Sequence, residues 1–431
     1  MSAGEKKRIF GIGLDGVPHS FAQKYMDEGL MPNLRKLASQ GTFKRINSTY
    51  PPMSNVAWSA FQTGRNPGEF GIYGFVEITP DLQIYTPRSH DIKVKTIWEK
   101  MHQAGLTVVS LSVPQTWPAP KVRGLLVSGF LSQELDERAV NSLATLEKLR
   151  KLGYVIDIAP DVVRPSLEEF TKYLLDIALR RQKTTLALME SEKWDYFFVH
   201  VMDTDRVNHY VWNYQHDPSS PHYKFFRDFY MGIDTFLGQI CERLPKDAEL
   251  VILSDHGFCD LNWEVQLNRW LRDKGYLDYE NAPEKHYQAV KPGSRALALV
   301  PGRIHILTKA KWRKGTVTES DYGPLRNEIV EQLKELRDPS TGDLMCKKVL
   351  TRDELYSGPC FNRAHDIIID PVEGYDFKAT LGEGPLLDKG VLKGMHTYWD
   401  AMLLTTSGLP DIATSQDITE VGIKIEKHYL G

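Results

Sequence analysis

Only four cysteines, at positions 241, 259, 346 and 360, occur in the 431 residues of the chain, and no two of them form a Cys-x-x-Cys pair. That scarcity argues against a disulfide framework and against a thiolate zinc site, and it sets a reducing, cytoplasmic location as the expectation. No stretch approaches the roughly 18 consecutive apolar residues of a membrane span. The basic start, Met1 to Arg8, leads into an apolar run too short and Gly-rich for the core of a secretory signal, and Asp15 ends that run. An excess of one charge is lacking as well. With 53 Lys+Arg against 56 Asp+Glu the formal net charge is -3, so neither a nucleic-acid polymer nor a membrane is expected as a partner. Low-complexity tracts and internal repeats are absent, and 42% hydrophobic with 25% charged residues exclude a mainly disordered chain.

What is present is ample material for more than one core, since a single one seldom grows past about 250 to 300 residues. Apolar β-rich runs alternate with amphipathic helical patterns, which predicts a mainly parallel, doubly wound α/β sheet with helices on both faces. The expected strands are Arg8 to Leu14, Thr107 to Val113, Leu125 to Ser128, Tyr196 to Met202, Glu249 to Leu253 and Met402 to Thr405. Helices are expected over Pro32 to Ser39, Thr96 to Ala104, Ser166 to Met189, His222 to Leu244 and Leu267 to Lys274, with Gly41 and Gly105 as stop signals. From about Ser294 the texture changes to short strands, Arg295 to Val300, Arg303 to Leu307 and Asp366 to Ile369, with one helix, Gly323 to Leu336. The expected organisation is a catalytic core of residues 1–294 and 385–431, carrying an insertion near 115–190, and a smaller α+β subdomain over 295–384.

Gly11-Ile-Gly13-Leu-Asp-Gly16 is a literal GxGxxG after the first strand. A dinucleotide site would need an acidic residue about 20 positions on, and residues 29 to 43 contain none. Asp15 would also place a carboxylate in the turn meant to hold a pyrophosphate. The motif is therefore set aside, and Asp15 needs another purpose.

Ligands of open parallel sheets bind where strands end in loops. Three expected strands end in metal-competent residues: the first at Asp15, the fourth in Asp203-Thr-Asp205-Arg-Val-Asn-His209, the fifth in Ser254-Asp255-His256-Gly257. His396 precedes the last strand. Each piece alone has an ordinary explanation, an Asx-turn or a local i, i+4 ion pair. Together on one sheet edge they would concentrate negative charge that cations must neutralise. Carboxylate plus imidazole without thiolate suits zinc, manganese or iron. Asp15, Asp205, His209, Asp255, His256 and His396 suffice for two ions with open positions, the arrangement used for in-line displacement at phosphorus.

A nucleophile is offered by Pro51-Pro52-Met53-Ser54-Asn55, an extended segment running into a short apolar helix that stops at Gly64. Ser54 falls at the start of that helix, where an N-cap is the ordinary role. The same position lets the first N–H groups, that of Asn55 foremost, receive an anion while the Ser54 oxygen attacks phosphorus.

With these residues in place the sequence resembles the alkaline phosphatase superfamily, in particular its type I phosphodiesterase/nucleotide pyrophosphatase branch and its predicted phosphohydrolase/phosphomutase group. The matching pieces are Gly13-Leu14-Asp15-Gly16, Pro51 to Ser54 through Thr63-Gly64 with Asn66-Pro67-Gly68 and Gly71-Ile72, Thr204-Asp205-Arg206 through His209, Ser254 to Phe258, and Gly394-Met395-His396. The resemblance implies an alkaline phosphatase-like fold and two divalent ions, zinc or manganese. It assigns one ion to Asp15, Ser54, Asp255 and His256, the other to Asp205, His209 and His396, and makes Ser54 the covalent nucleophile. It further implies a small-molecule phosphate ester substrate, with a phosphomutase or phosphotransferase as the alternative chemistry; because matching ligands do not prove turnover, a non-catalytic metal-dependent binding protein is the alternative from a different class. Nucleotide pyrophosphatases carry an Asn just after the Gly-Ile, where this chain has Tyr73-Gly74-Phe75. Close relatives often show Gly-Lys-His-Gly-Ile, where this chain has Gly68-Glu69-Phe70-Gly71-Ile72, and Thr397-Tyr398-Trp399-Asp400 follows His396. Phosphate charge is expected to meet Asn55 and Lys393, with Arg65 and Arg206 as further candidates.

Overall fold

The computed structural model describes residues 7–132, 134–158, 166–280 and 287–431; the basic start and parts of the 115–190 insertion lie outside the described residues. The chain divides into two compact units. The larger comprises Met1–Asn66, Arg88–Phe258 and His396–Gly431, the smaller Pro67–Pro87 and Cys259–Met395. The segment 295–384 lies inside the smaller unit. The change of texture near Ser294 coincides with the start of that unit's antiparallel sheet at Ala296, whereas the chain passes between units inside the strands Gly257–Asp260 and Gly394–Thr397. A division inside a strand leaves no loop signature to read.

The larger unit is built on a seven-stranded sheet in the order Gly41–Ile46, Ala401–Thr406, Ala248–Leu253, Arg8–Leu14, Tyr196–Val201, Val108–Val113, Gly124–Ser128. The last five run parallel, and Ala401–Thr406 is antiparallel to both its neighbours. Both faces are covered. Phe10, Ile12 and Leu14 join Phe197, Val199, Leu250 and Ile252 in one apolar layer, under the helices Leu167–Ser191 and Pro221–Arg243. Ile9, Tyr196, Phe198, Val251 and Leu253 face the opposite layer, with Trp58 and Phe61 of helix Ser54–Thr63 and Val421 and Ile425 of helix Ile418–Leu430. Burial on both faces is the reason these strands read as unbroken apolar runs rather than as an alternating pattern.

The glycines of the GxGxxG run serve packing. A Cβ at Gly11 would lie 2.4 Å from the Phe198 ring, and one at Gly13 2.4 Å from the Trp58 indole. Gly16 has φ +66°, a conformation costly for a side chain, and turns the chain just after Asp15. Gly41 stops its helix as expected, as the residue directly after Gln40, but in an extended rather than a left-handed conformation. Its φ is -145°, and it opens the edge strand Gly41–Ile46, where a Cβ would meet the Thr405 carbonyl oxygen at 2.0 Å. That edge strand and the helix Ile418–Leu430, capped by Asp417, are additions to the expected elements. Gly105 also stops its helix, with φ +78°.

In the smaller unit a four-stranded sheet runs Ala296–Val300, Arg303–Ile306, Ile367–Pro371, Cys346–Thr351, with a three-stranded sheet beside it in the sequence of the unit, centred on Trp263–Gln266. The helix Glu319–Lys334 begins at a Thr318 cap, earlier than the expected Gly323, and accommodates Pro324 in its interior. Val265, Trp270, Leu299, Ile304, Ile329 and Ile367 belong to its core.

Candidate active site

Strand Arg8–Leu14 pairs in parallel with Tyr196–Val201 on one side and Ala248–Leu253 on the other. Their carboxyl ends therefore release Asp15, the helix Asp203–Val211 and the Asp255-His256 turn side by side. Because Ala401–Thr406 runs antiparallel to Ala248–Leu253, the residues before it, His396 among them, reach the same edge. All seven proposed metal-site residues lie in the larger unit.

Asp15, Asp255 and His256 form one group whose ligand atoms lie within 4.8 Å of one another, and all three are fully buried. His256 Nδ1 faces the Gly257 carbonyl at 3.0 Å, so that Nδ1 carries the proton and Nε2 presents its lone pair 3.3 Å from Asp255 Oδ2 and 3.5 Å from Asp15 Oδ1. Asp255 Oδ1 accepts the Gly16 N–H at 3.1 Å, while Oδ2 is buried without a hydrogen-bond partner. A buried, unpartnered carboxylate oxygen is expensive unless a cation meets it. Burial, reinforced by the Asp15 charge, raises Asp255 well above the ordinary carboxyl range, and burial with the His396 imidazole beside it lowers His256 to about 3. The Asp255 shift is that of a site whose carboxylates converge without a countercharge, and a divalent ion would reverse it; the neutral His256 is the form that ligates such an ion.

The second group is Asp205, His256 and His396. His396 Nδ1 donates to the Pro52 carbonyl at 2.8 Å, leaving Nε2 3.1 Å from Asp205 Oδ1 and 3.0 Å from His209 Nε2. Asp205 and His209, four residues apart on their helix, approach to 3.5 Å. Burial opposes ionisation of Asp205, but His209 and His396 outweigh it and hold the carboxyl below its usual range. His256 and His396 stack with ring centroids 3.7 Å apart, so His256 borders both groups. Phe258 meets the His209 and His396 rings at 5.0 and 5.2 Å and helps to fix them.

Ser54 does not cap its helix. Met53 holds the N-cap position in extended conformation, no side chain caps, and Ser54 is the first helical residue. Its hydroxyl, 3% exposed, points instead at Asp15 Oδ1 (3.2 Å) and His256 Nε2 (3.4 Å). Asn55 follows, fully buried, with its backbone N–H in the first helical turn, where such groups lack intrahelical acceptors. Gly64, in the left-handed region, ends the helix as expected.

Several supporting residues escaped the sequence reading. Asp15 Oδ2 accepts from Trp58 Nε1 at 3.0 Å and His200 Nε2 at 2.6 Å, and His200 Nδ1 in turn faces the Ser112 carbonyl at 2.9 Å. The Thr204 hydroxyl donates to the Asp15 carbonyl at 2.6 Å, and the Asn208 amide to that of Gly16 at 2.9 Å, with Tyr230 holding Asn208 from behind. Tyr398 stacks on Tyr50 at 4.0 Å beside the Pro-Pro segment, and Asp400 pairs with Arg45 at 2.7 Å, which accounts for the bulky run after His396. Arg206 is engaged by Asp157 at 2.5 Å, which gives that residue a structural partner. Lys393 belongs to the smaller unit, where its carbonyl accepts from Leu261 N–H. Phe70, in the loop that differs from the Gly-Lys-His-Gly-Ile pattern, is a fully buried side chain of the smaller unit.

A doubly wound sheet with carboxylates and imidazoles gathered at its carboxyl edge is an α/β arrangement of the alkaline phosphatase-like fold. The chain matches the type I phosphodiesterase / nucleotide pyrophosphatase family over residues 9–399 and belongs to that family of phosphoryl hydrolases. It is similar in fold to phosphonoacetate hydrolase from Sinorhizobium meliloti 1021 solved with phosphonoacetate, at 15% identity and TM-score 0.67, over 98% of this chain and 96% of that one. The murine ectonucleotide pyrophosphatase/phosphodiesterase 5, solved as an inactive variant with AMP, is similar at 14% identity and TM-score 0.57, over 98% of this chain and 94% of that one. Among curated proteins there is no significant match. No helix among the described residues is long and apolar enough to cross a membrane.

Proposed function

We propose that the protein is a two-metal phosphoric ester hydrolase, acting on a small-molecule diester, with Ser54 as covalent nucleophile. The observation that carries this reading is the Ser54 hydroxyl, released from the capping role and aimed between Asp15 Oδ1 and His256 Nε2. Asp15, Ser54, Asp255 and His256 would hold one divalent ion and Asp205, His209 and His396 the other; the unpartnered Asp255 Oδ2 and the two outward Nε2 lone pairs of His256 and His396 fit such ions. The donor set suits zinc, and manganese also. Bound there, the ions would lower the pKa of the attacking hydroxyl and neutralise charge on the phosphoryl oxygens.

The chain's own residues supply placement. His200 and Trp58 hold Asp15 Oδ2 so that Oδ1 faces Ser54, and the Asn55 N–H is available to a phosphoryl oxygen. The Ser54 oxygen gives its proton to solvent and forms a bond to phosphorus as the bond to the ester oxygen breaks, that oxygen leaving with a proton from solvent. Water then attacks the phosphoserine from the opposite side, and the serine oxygen regains a proton. The phosphonoacetate and AMP held by the structural neighbours support a small, phosphorus-containing substrate. Ser54→Ala is expected to reduce turnover of an activated phosphodiester by about a thousandfold or more while metal content stays near that of the wild type. Undiminished turnover by Ser54→Ala in a steady-state assay would refute the mechanism.

A further inference from the structure

The buried stripe of helix Leu167–Ser191 contains Phe170, Leu174, Ile177, Ala178 and Leu188, and one arginine, Arg181, stands within it. A buried guanidinium needs acceptors for its donors. Arg181 Nη1 donates to Asp203 Oδ1 at 3.0 Å, Nε to the Val155 carbonyl at 2.9 Å, and Nη2 to the Ile156 carbonyl. Asp203, itself buried, is the first residue of the helix Asp203–Val211, which has no side-chain cap. The planar fork of Arg181 therefore fixes the start of that helix against the segment at Val155 and Ile156.

The same segment grips the helix one turn on, where Asp157 pairs with Arg206 at 2.5 Å. Asp203 and Arg206 share one helical face by spacing, and Asp205 and His209 share the next. One face is thus clamped while the other presents metal-competent groups. The segment also reaches the Asp15 side of the site. The Tyr154 hydroxyl bonds the Ser112 hydroxyl, the Ser112 carbonyl faces His200 Nδ1 at 2.9 Å, and His200 Nε2 meets Asp15 at 2.6 Å. Ser112 has φ +62°, a conformation costly for a residue with a side chain, and its surroundings hold it there. Ser112, Tyr154, Arg181, His200 and Asp203 line one common cavity of about 10 Å³, room for about one water, so these groups serve one another.

We propose that Arg181 is a positioning residue for the second ion, acting through Asp203 to set Asp205 and His209 against the Asp15 group. The proposal rests on the two-metal reading given above, and its test reads metal binding rather than turnover. Zinc bound per chain is measured against free zinc for the full-length wild type, for Arg181→Met, and for Arg181→Met/Asp203→Asn, in which no charge is left buried alone. Asp205→Asn, which removes a ligand of the second ion directly, gives the reference pattern. Each Arg181 variant that keeps a cooperative thermal transition is expected to hold the first ion at wild-type affinity and the second about 10- to 100-fold more weakly, with the second ion recovered at high zinc. Arg181→Lys, which keeps the ion pair but not the three-donor fork, should fall between wild type and Arg181→Met, and it carries the test if the other variants do not fold. Two ions at wild-type affinity in a folded Arg181 variant, or equal weakening of both ions, overturns the positioning role. A wild type that holds fewer than two ions overturns the two-metal reading and the proposal with it, a failure seen without any variant.

Discussion

Two buried charge clusters, one in each unit, are built on opposite principles. At the sheet edge of the larger unit, Asp15, Asp205 and Asp255 converge with three imidazoles, and a carboxylate oxygen is left without a donor. In the smaller unit the group without a hydrogen-bond partner is the Lys311 ammonium, and burial holds the neighbouring His305 and His365 imidazoles neutral. Both arrangements carry the cost of desolvating charge. In the larger unit several ligand atoms converge with the orphaned oxygen, and a cation would answer them together; in the smaller the ammonium lies 5.0 Å from the Trp312 ring centroid, and burial lowers its pKa. Similar burial therefore carries different chemistry, and the identity of the unsatisfied atom is more informative than the total of charged residues.

The comparison can be broken most severely at Asp255. Asp255→Asn removes the orphaned anionic oxygen with little change of shape. It is expected to lower both metal content and turnover, the latter by about a thousandfold or more if metal stabilisation is worth several kcal/mol. Elemental analysis and steady-state kinetics check this, and full metal occupancy in the variant would remove the contrast between the clusters. A smaller effect is expected at His200, which touches Asp15 rather than any substrate. His200→Leu should weaken metal affinity by about 10- to 100-fold, with the loss recovered at high metal concentration. A metal titration of activity distinguishes this from simple misfolding, which added metal would not repair.

The mildest test uses pH. Lys311 has a folded-state pKa of about 8 against an ordinary 10.5, so between these values the unfolded chain binds more protons than the folded one. Stability should therefore rise with pH through the lower part of this window, and Lys311→Met should lack that rise. Glu77, raised to about 7 by burial, and the two depressed histidines titrate below the window, while the neighbouring Tyr322 and Tyr356, both pushed well above the usual phenol range by burial, and Arg303, lowered to about 10, titrate above pH 9.5. Melting midpoints of wild type and variant between pH 8 and about 9.5 isolate the lysine. Parallel curves would show that the Lys311 ammonium is not under strain.

Much of the larger unit was legible because its signals are local. The apolar run Arg8–Leu14 ends in an Asp, the helix Ser54–Thr63 has a glycine stop, and Asp205 and His209 share a helical face by spacing alone. His200 was not legible. It sits inside the strand Tyr196–Val201, where its neighbours are Val199 and Val201, and nothing in that run announces that Asp15 lies across the sheet. Thr204 and Asn208 stood in a motif already noted, but their targets are backbone carbonyls at Asp15 and Gly16, which no side-chain pattern reveals. Ser54 was placed correctly at the helix start, yet whether it capped or faced the metal-competent residues depended on the extended Met53 backbone.

By itself the sequence determined the inventory: strands buried on both faces, from runs of apolar residues, and a set of carboxylates and imidazoles at strand ends with thiolates excluded by scarcity. Those follow from periodicity and residue chemistry, which act over a few positions. Only the tertiary structure decided which donors meet and which charges stay unmatched. Asp15 is held by a histidine 185 positions away, and Lys311 is unpaired because Asp366 and Glu77 are taken by other donors. Desolvation and distance are properties of the whole packed chain, so which groups of each cluster stay unmet could be read only after folding had brought its members together.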